Sequence, residues 1–387
     1  MMVKNRLAAI LNLTEDNAAF KPLTNTRPIA ALPFAGRYRI IDFLLSSISH
    51  ANVPSAALFI GDSGRAIYDH IRSGDAWDFD SHTQGGIFTF SQQNWKLSHH
   101  EENDDEDFYY NHRIYMHRSR ASYVFVAGSK IIANIDIKSA HKQHLESGRD
   151  ITVIYKVLDR NQIGKSHPFE RSLTLNDERE VVGLKENGQL TDEVVVNQSL
   201  NMYLLSIETV NEIIDQAIED GVYTSLDQVI QRYLLNYSVN VYEYTGYIAN
   251  IDSIESYYQA NMDMLKRQNF SALFYTSQPV LTKSKYGSPT YYCEGSDVNS
   301  SIVATGSSIY GTVNNSVIHR RVKVNRNAVV KNSVIIQGTE IGEGAHVEYA
   351  IIDKDCIIQP NARVIGSPDN LIVIGKNTII EAVEDQA

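Results

Sequence analysis

Residues 318–364 read IHRRVKVNRNAVVKNSVIIQGTEIGEGAHVEYAIIDKDCIIQPNARV, and the spacing of aliphatic side chains in this stretch decides the architecture of the end of the chain. Ile318, Val324, Val330, Ile335, Ile341, Val347, Ile352, Ile358 and Val364 follow one another at steps of six, six, five, six, six, five, six and six residues. Asn325, Asn327, Gly338, Gly342, Gly344, Asn361 and Gly366 fall between or just beyond them. One inward aliphatic per short strand, with turn formers at the corners, is what a parallel β-helix with a narrow triangular core requires. A sandwich would need a period of two, which is not sustained.

Upstream, Gln278 to Thr290 holds Pro279, Gly287, Ser288 and Pro289 and reads as a linker. Before it, Ile254 to Arg267 has the pattern of a closing helix. Earlier still, short apolar runs at Leu7 to Leu13, Ser55 to Ile60, Ser122 to Val126 and Ile151 to Val157 alternate with helical patterns at Ile40 to Ala51, Arg65 to Ser73 and Asp136 to Ser147. Such alternation predicts a mostly parallel, doubly wound α/β sheet. Ligands of such sheets bind beyond the carboxyl ends of the strands, so the loops after Leu13 and Ala127 are where chemistry is expected. The expected organisation is an α/β domain at 1–277, a linker at 278–290 and a β-helix domain at 291–387.

With 387 residues, 43% apolar and 21% charged, the chain has the composition of a globular protein of two domains. Its formal charge of −11 gives no general attraction to nucleic acid or anionic lipid, so any phosphate must be held by a local basic group. Leu7 to Leu13 is too short for a signal-peptide core and runs into Thr14, Glu15 and Asp16, and no segment has the length of a membrane span. Cys293 and Cys356 lie far apart without metal-ligand spacing, as in a reduced, cytoplasmic protein. From about Asp75 to Tyr110 the alternation fails. His99 and His100 precede an acidic run, Glu101, Glu102, Asp104, Asp105, Glu106 and Asp107, which reads as a solvated loop rather than a metal site.

Arg27 to Phe43, RPIAALPFAGRYRIIDF, combines a turn at Pro33, Ala35 and Gly36, a basic pair at Arg37 and Arg39, and an apolar run at helical spacing. It suits a loop feeding a buried helix. It also suits two guanidinium groups binding an anion, since their planar forks match phosphate oxygens.

On these residues the chain resembles the ADP-glucose pyrophosphorylases (glucose-1-phosphate adenylyltransferases). The matching segments are LTNTRPIAALPFAGRYRIIDF (Leu23 to Phe43), NMYLLS from Asn201, GYIANIDSIESYYQANMDML (Gly246 to Leu265) and AIIDK (Ala350 to Lys354), in the family's order. The resemblance implies a Rossmann-like nucleotidyltransferase domain followed by a left-handed β-helix of hexapeptide repeats. Catalytic members carry a Gly-Gly-x-Gly-x-Arg loop after the first strand to hold the triphosphate of ATP. Here those positions read Thr14, Glu15, Asp16, Asn17, Ala18, Ala19. The glycines that admit phosphate to the backbone are gone, two carboxylates would repel it, and Ala19 replaces the arginine. Ile29 stands for the family's lysine, and Ser129 and Asn250 stand for its two metal-binding aspartates. Phosphoryl chemistry needs a metal to neutralise developing charge, so these losses imply no catalysis, no metal and no cofactor in this chain, with Mg²⁺ confined to a catalytic partner. The sugar-side segments are replaced as well, by Tyr110-Asn111-His112 and by sequence near Lys185-Glu186-Asn187, and no glucose-1-phosphate site is assigned.

Arg27, Arg39, Asp353 and Lys354 match the family's allosteric anion site, and Arg37 adjoins them. A bland alternative is that Arg39 and Asp353 simply pair. The pattern of loss resembles the non-catalytic, regulatory GlgD-type subunit, which implies a hetero-oligomer, in this reading a tetramer, with a catalytic paralogue and a phosphate or sugar-phosphate effector. No nucleic acid or membrane partner is expected. Two other activities would draw on different residues. A working nucleotidyltransferase with rearranged metal ligands would draw on Asp136 and on Asp104 to Asp107. A hexapeptide-repeat acyltransferase would use His319 or His346, although a histidine on a β-helix turn is ordinarily exposed and idle.

Overall fold

A computed structural model describes residues 6–61, 63–79, 85–92, 108–160, 170–190 and 193–382. The acidic run after His99 and His100 lies outside the described residues. The chain forms two compact units that interleave in sequence. The first comprises Met1–Glu15, Phe43–Ile248 and Gln278–Leu281, and the second Asp16–Asp42, Ala249–Ser277 and Thr282–Ala387. The expected linear boundaries at 277 and 291 do not coincide with this division, because residues 16–42 and 249–277 group with the β-helix.

The first unit is built on a nine-stranded mixed sheet. Its parallel part runs Gly86–Ser91, Ser55–Ile60, Leu7–Leu13, Tyr123–Gly128, with Leu11 beside Leu58 on one side and Ala127 on the other. Leu7–Leu13 is buried at all seven positions, as a central strand covered on both faces must be. Val195–Ser206 then pairs antiparallel with Tyr123–Gly128, and also with Ile151–Asp159 and Arg171–Leu175. The strands and helices predicted within this unit recur within one or two residues, with helices at Ile41–His50, Arg65–Ile71 and Ile137–Ser147, whereas the closing helix predicted over Ile254 to Arg267 ends at Asp263 and Arg267–Phe274 is a separate helix. The stretch after Asp75, where the alternation fails, contains a parallel strand at one edge of the sheet, Gly86–Ser91. Its side chains are only partly covered, so it shows neither the continuous apolar run nor the clean alternation that marks an inner strand.

In the second unit, strands from Tyr291 to Ile380 stack in three parallel sheets of six, five and five strands. Ile318 pairs with Ile335, and Ile335 with Ile352, so the coil advances by the 17 residues that also separate Ser316 from Ser333. The six-six-five spacing of the sequence is therefore one side chain per face per coil. Ile318, Val324, Val330, Ile335, Ile341, Val347, Ile352 and Ile358 are all fully buried in one apolar column. On the strand Ile357–Ile358 the neighbour of the inward residue faces out, and Ile357 is 45% exposed.

The segment from Arg27 to Asp42 packs within this same unit. Pro33–Phe34 and Tyr38–Arg39 form a small antiparallel hairpin around Gly36, which adopts φ +75°. A β-carbon there would lie 3.2 Å from Ile302, so glycine serves both the left-handed turn and the close approach to the β-helix. The helix Ile254–Asp263 fixes the hairpin's entry: the Tyr257 hydroxyl donates to the Pro33 carbonyl at 2.6 Å, and the Asn261 side-chain Oδ1 accepts the Ala35 N–H at 3.1 Å. Tyr38 stacks on Phe274 at 4.9 Å. No helix among the described residues is long and apolar enough to cross a membrane.

Candidate functional site

Two polar groupings fall where the sequence directs attention, one in each unit. In the first, Leu7–Leu13 ends beside Tyr123–Gly128, and the residues just beyond both strands meet. The Glu15 carboxyl accepts the Ser129 backbone N–H, and the Ser129 hydroxyl lies 2.8 and 3.0 Å from its two oxygens. Ser129 is fully buried. Asp227, at the start of the helix Leu226–Tyr233, accepts the Asn12 amide at 2.7 Å. Desolvation raises the Glu15 pKa above the usual carboxylate range, partly offset by the Ser129 hydrogen bonds, and the charge of Asp227 adds to the rise. Asp227 is raised as well, chiefly by burial. Lys130, next in the chain, is engaged by Glu170, which also accepts the Asn201 amide at 3.1 Å.

Of the positions matched to catalytic groups, Ser129 is thus a hydrogen-bond donor to Glu15. In the second unit, Ala19 sits on an exposed turn of the short helix Ala18–Phe20, Ile29 is buried, and Asn250 lies in the strand Ala249–Asn250. Among the described residues no three His, Cys, Asp or Glu side chains converge as metal ligands. Asp136, considered as a rearranged ligand, caps the helix Ile137–Ser147 and accepts the Ser139 N–H at 3.0 Å. His112, on the sugar-side segment, is buried against Phe59 at a ring separation of 3.6 Å, and burial pulls its pKa down to about 3.

The second grouping is basic and lies wholly in the second unit. Arg27 donates to Asp353 at 2.7 Å, both side chains being at least nine-tenths buried. The alternative pairing of Arg39 with Asp353 gives way to this one. Asp353 also accepts the Lys354 backbone N–H at 2.6 Å, while the Lys354 ammonium lies 3.2 Å from Asp355. The Arg39 backbone N–H donates to Asp42 at 2.9 Å.

Two cations absent from the sequence reading join this group. The Lys285 pKa is lowered to about 8, first by desolvation and then by repulsion from Arg39, Arg320, Lys283 and Lys354. Arg320 donates to the Lys285 carbonyl at 2.9 Å, and burial followed by repulsion from Arg37 pulls its own pKa down. The signal for both was present as the basic spacings Lys283-Ser284-Lys285 in the linker and Arg320-Arg321 in the repeat. His319 is buried, and burial followed by the charges of Arg27, Arg320 and Lys285 lowers its pKa to about 3. It therefore departs from the exposed, idle histidine expected there. His346 lies 3.4 Å from Glu348. So many like charges in one neighbourhood repel one another, and a bound anion would relieve that repulsion.

An α/β sheet unit of nucleotidyltransferase type, joined to a hexapeptide-repeat β-helix unit carrying a basic cluster, defines the class. Residues 291–370 match the family model described as GlmU-like, C-terminal hexapeptide. The chain is 30% identical to the glycogen biosynthesis protein GlgD of Bacillus subtilis (strain 168), over 98% of both chains. It is 33% identical to the protein of the same name from Geobacillus stearothermophilus, over 85% of this chain and 84% of that one. With the glucose-1-phosphate adenylyltransferase of Clostridium novyi (strain NT) it shares 26% identity over 85% of each chain. The chain belongs to the GlgD glycogen biosynthesis protein family.

Proposed function

We propose that this chain is a regulatory, catalytically inactive subunit for glucose-1-phosphate adenylyltransferase, acting in ADP-glucose synthesis for glycogen. It assembles with a catalytic paralogue in the cytoplasm as a hetero-oligomer, a tetramer in the simplest arrangement, and needs no metal or cofactor of its own. The observation that carries this reading is the basic group of Arg27, Arg37, Arg39, Lys285, Arg320 and Lys354 near Asp353, taken together with the residues Ala19, Ile29, Ser129 and Asn250 at the positions matched to catalytic groups. A chain without metal-binding aspartates or a phosphate loop has no means of stabilising a phosphoryl-transfer transition state. A phosphate or sugar phosphate bound to the basic group favours one conformation of this subunit. The assembled enzyme responds by the difference in affinity between its states.

Co-expression with the catalytic paralogue tests this. The two chains are expected to co-purify, the assembly to make ADP-glucose faster than the paralogue alone, and this chain alone to release no pyrophosphate from ATP and glucose 1-phosphate. Lys354→Ala in this chain is expected to alter the assembly's response to phosphate. Failure to co-purify with no change in rate defeats the proposal, as does ordinary turnover by this chain alone.

A further inference from the structure

We propose that the Glu15 carboxyl is an internal stand-in for a phosphate-bearing ligand, engaging the Ser129 donors just beyond the carboxyl ends of the two central parallel strands Leu7–Leu13 and Tyr123–Gly128. Leu7–Leu13 has a parallel neighbour on each side, Ser55–Ile60 and Tyr123–Gly128. The residues leaving its carboxyl end therefore stand at the point where open α/β sheets hold ligands. What lies there is this chain's own acid. The Ser129 N–H and hydroxyl, a backbone and side-chain donor pair suited to a phosphate oxygen, both serve Glu15.

The surroundings are fitted to that occupant. A β-carbon on Gly128 would lie 3.2 Å from a Glu15 carboxyl oxygen, tighter than an ordinary contact by a few tenths of an ångström, and at an ordinary 3.4 Å from an Asp227 carboxyl oxygen, so Glu15 lies close over the bare strand end. Asp227 is held by Asn12, and Lys130, the cation nearest in sequence, is committed to Glu170. A ligand phosphate entering here would have to displace Glu15 from Ser129 and then face Asp227. Desolvation of the two acids raises the pKa of each, a cost that the Ser129, Asn12 and Ser225 hydrogen bonds partly offset.

The inference deepens the proposed function by naming what excludes nucleotide from a non-catalytic chain, and it rests on that reading only for the identity of the excluded ligand. Occupancy and charge are separable by substitution. Glu15→Gln keeps the shape and an acceptor for the Ser129 N–H but removes the charge, whereas Glu15→Ala removes the occupant. Calorimetric titration of the full-length chain with Mg·ATP is expected to give no saturable binding for the unaltered chain or Glu15→Gln. Glu15→Ala is expected to bind at least about tenfold more tightly than either. No gain in Glu15→Ala overturns the inference, and so does an equal gain in Glu15→Gln, which would make charge rather than occupancy the barrier. Saturable Mn²⁺ binding by the unaltered chain that Glu15→Gln abolishes also overturns it, because Glu15 would then be a cation ligand. Should Glu15→Ala not fold, hydrogen exchange in the unaltered chain decides: a protected Ser129 amide supports the contact and an unprotected one refutes it. Failure of the co-expression test leaves these binding results standing, so the two proposals fall separately.

Discussion

Asp353 ties the stability of the second unit to the proposed anion site. Its carboxyl is 2% exposed and receives the Arg27 guanidinium at 2.7 Å and the Lys354 N–H at 2.6 Å. Removing one partner of a buried pair strands the other charge, which typically costs about 3–5 kcal/mol. Asp353→Ala and Arg27→Ala should each lower the unfolding free energy by about that much. The double variant should cost clearly less than the sum, because neither charge is then left unpaired. Denaturant unfolding of the four proteins measures it, and strict additivity would show that the two side chains do not act as a pair. Glu15 sits at the same scale but works in the opposite sense, since it fills a site with its own oxygens instead of preparing one for a ligand.

At the scale of the element, the β-helix coil decides which aliphatic residues matter. Ile341 is fully buried between the coils of Val324 and Ile358, whereas Ile357 points outward one position from the same column. Ile341→Ala should cost about 2–5 kcal/mol through lost burial and the cavity left behind. Ile357→Ala should stay within about 0.5 kcal/mol, as surface substitutions do. Chemical denaturation midpoints at unchanged m-value would check both, and similar losses at the two sites would contradict the column. The six-six-five spacing made this element legible in the sequence because one coil repeats one local geometry. Gly86–Ser91 was not legible, because a partly covered outer strand lacks a strong apolar pattern. The grouping of residues 16–42 with the β-helix also escaped, since its hydrogen bonds to the helix Ile254–Asp263 join segments more than 200 positions apart.

For the molecule as a whole, the charge of −11 coexists with a local group of cations whose mutual repulsion is written in Lys285. With a pKa lowered to about 8, Lys285 loses its charge as pH rises through that value, so anion affinity should fall between pH 7 and pH 9. Binding of sulfate, whose own charge is constant in this range, should weaken by up to about tenfold, with proton uptake on binding near pH 8. Lys285→Ala should bind more weakly at pH 7 and lose this pH dependence, and calorimetry in buffers of different ionisation enthalpy measures both. An unaltered pH profile in the variant would remove Lys285 from the site. The sequence by itself determined the parallel α/β strands, the β-helix and the identities of four of the basic-group residues, because backbone periodicity and residue identity are local properties. Only the tertiary structure decided that Arg27, 326 positions away, is the partner of Asp353, that Lys285 and Arg320 join the cations, and that Glu15 closes on Ser129. Those choices depend on which side chains the fold brings within hydrogen-bonding or Coulombic range, and no local pattern encodes that distance.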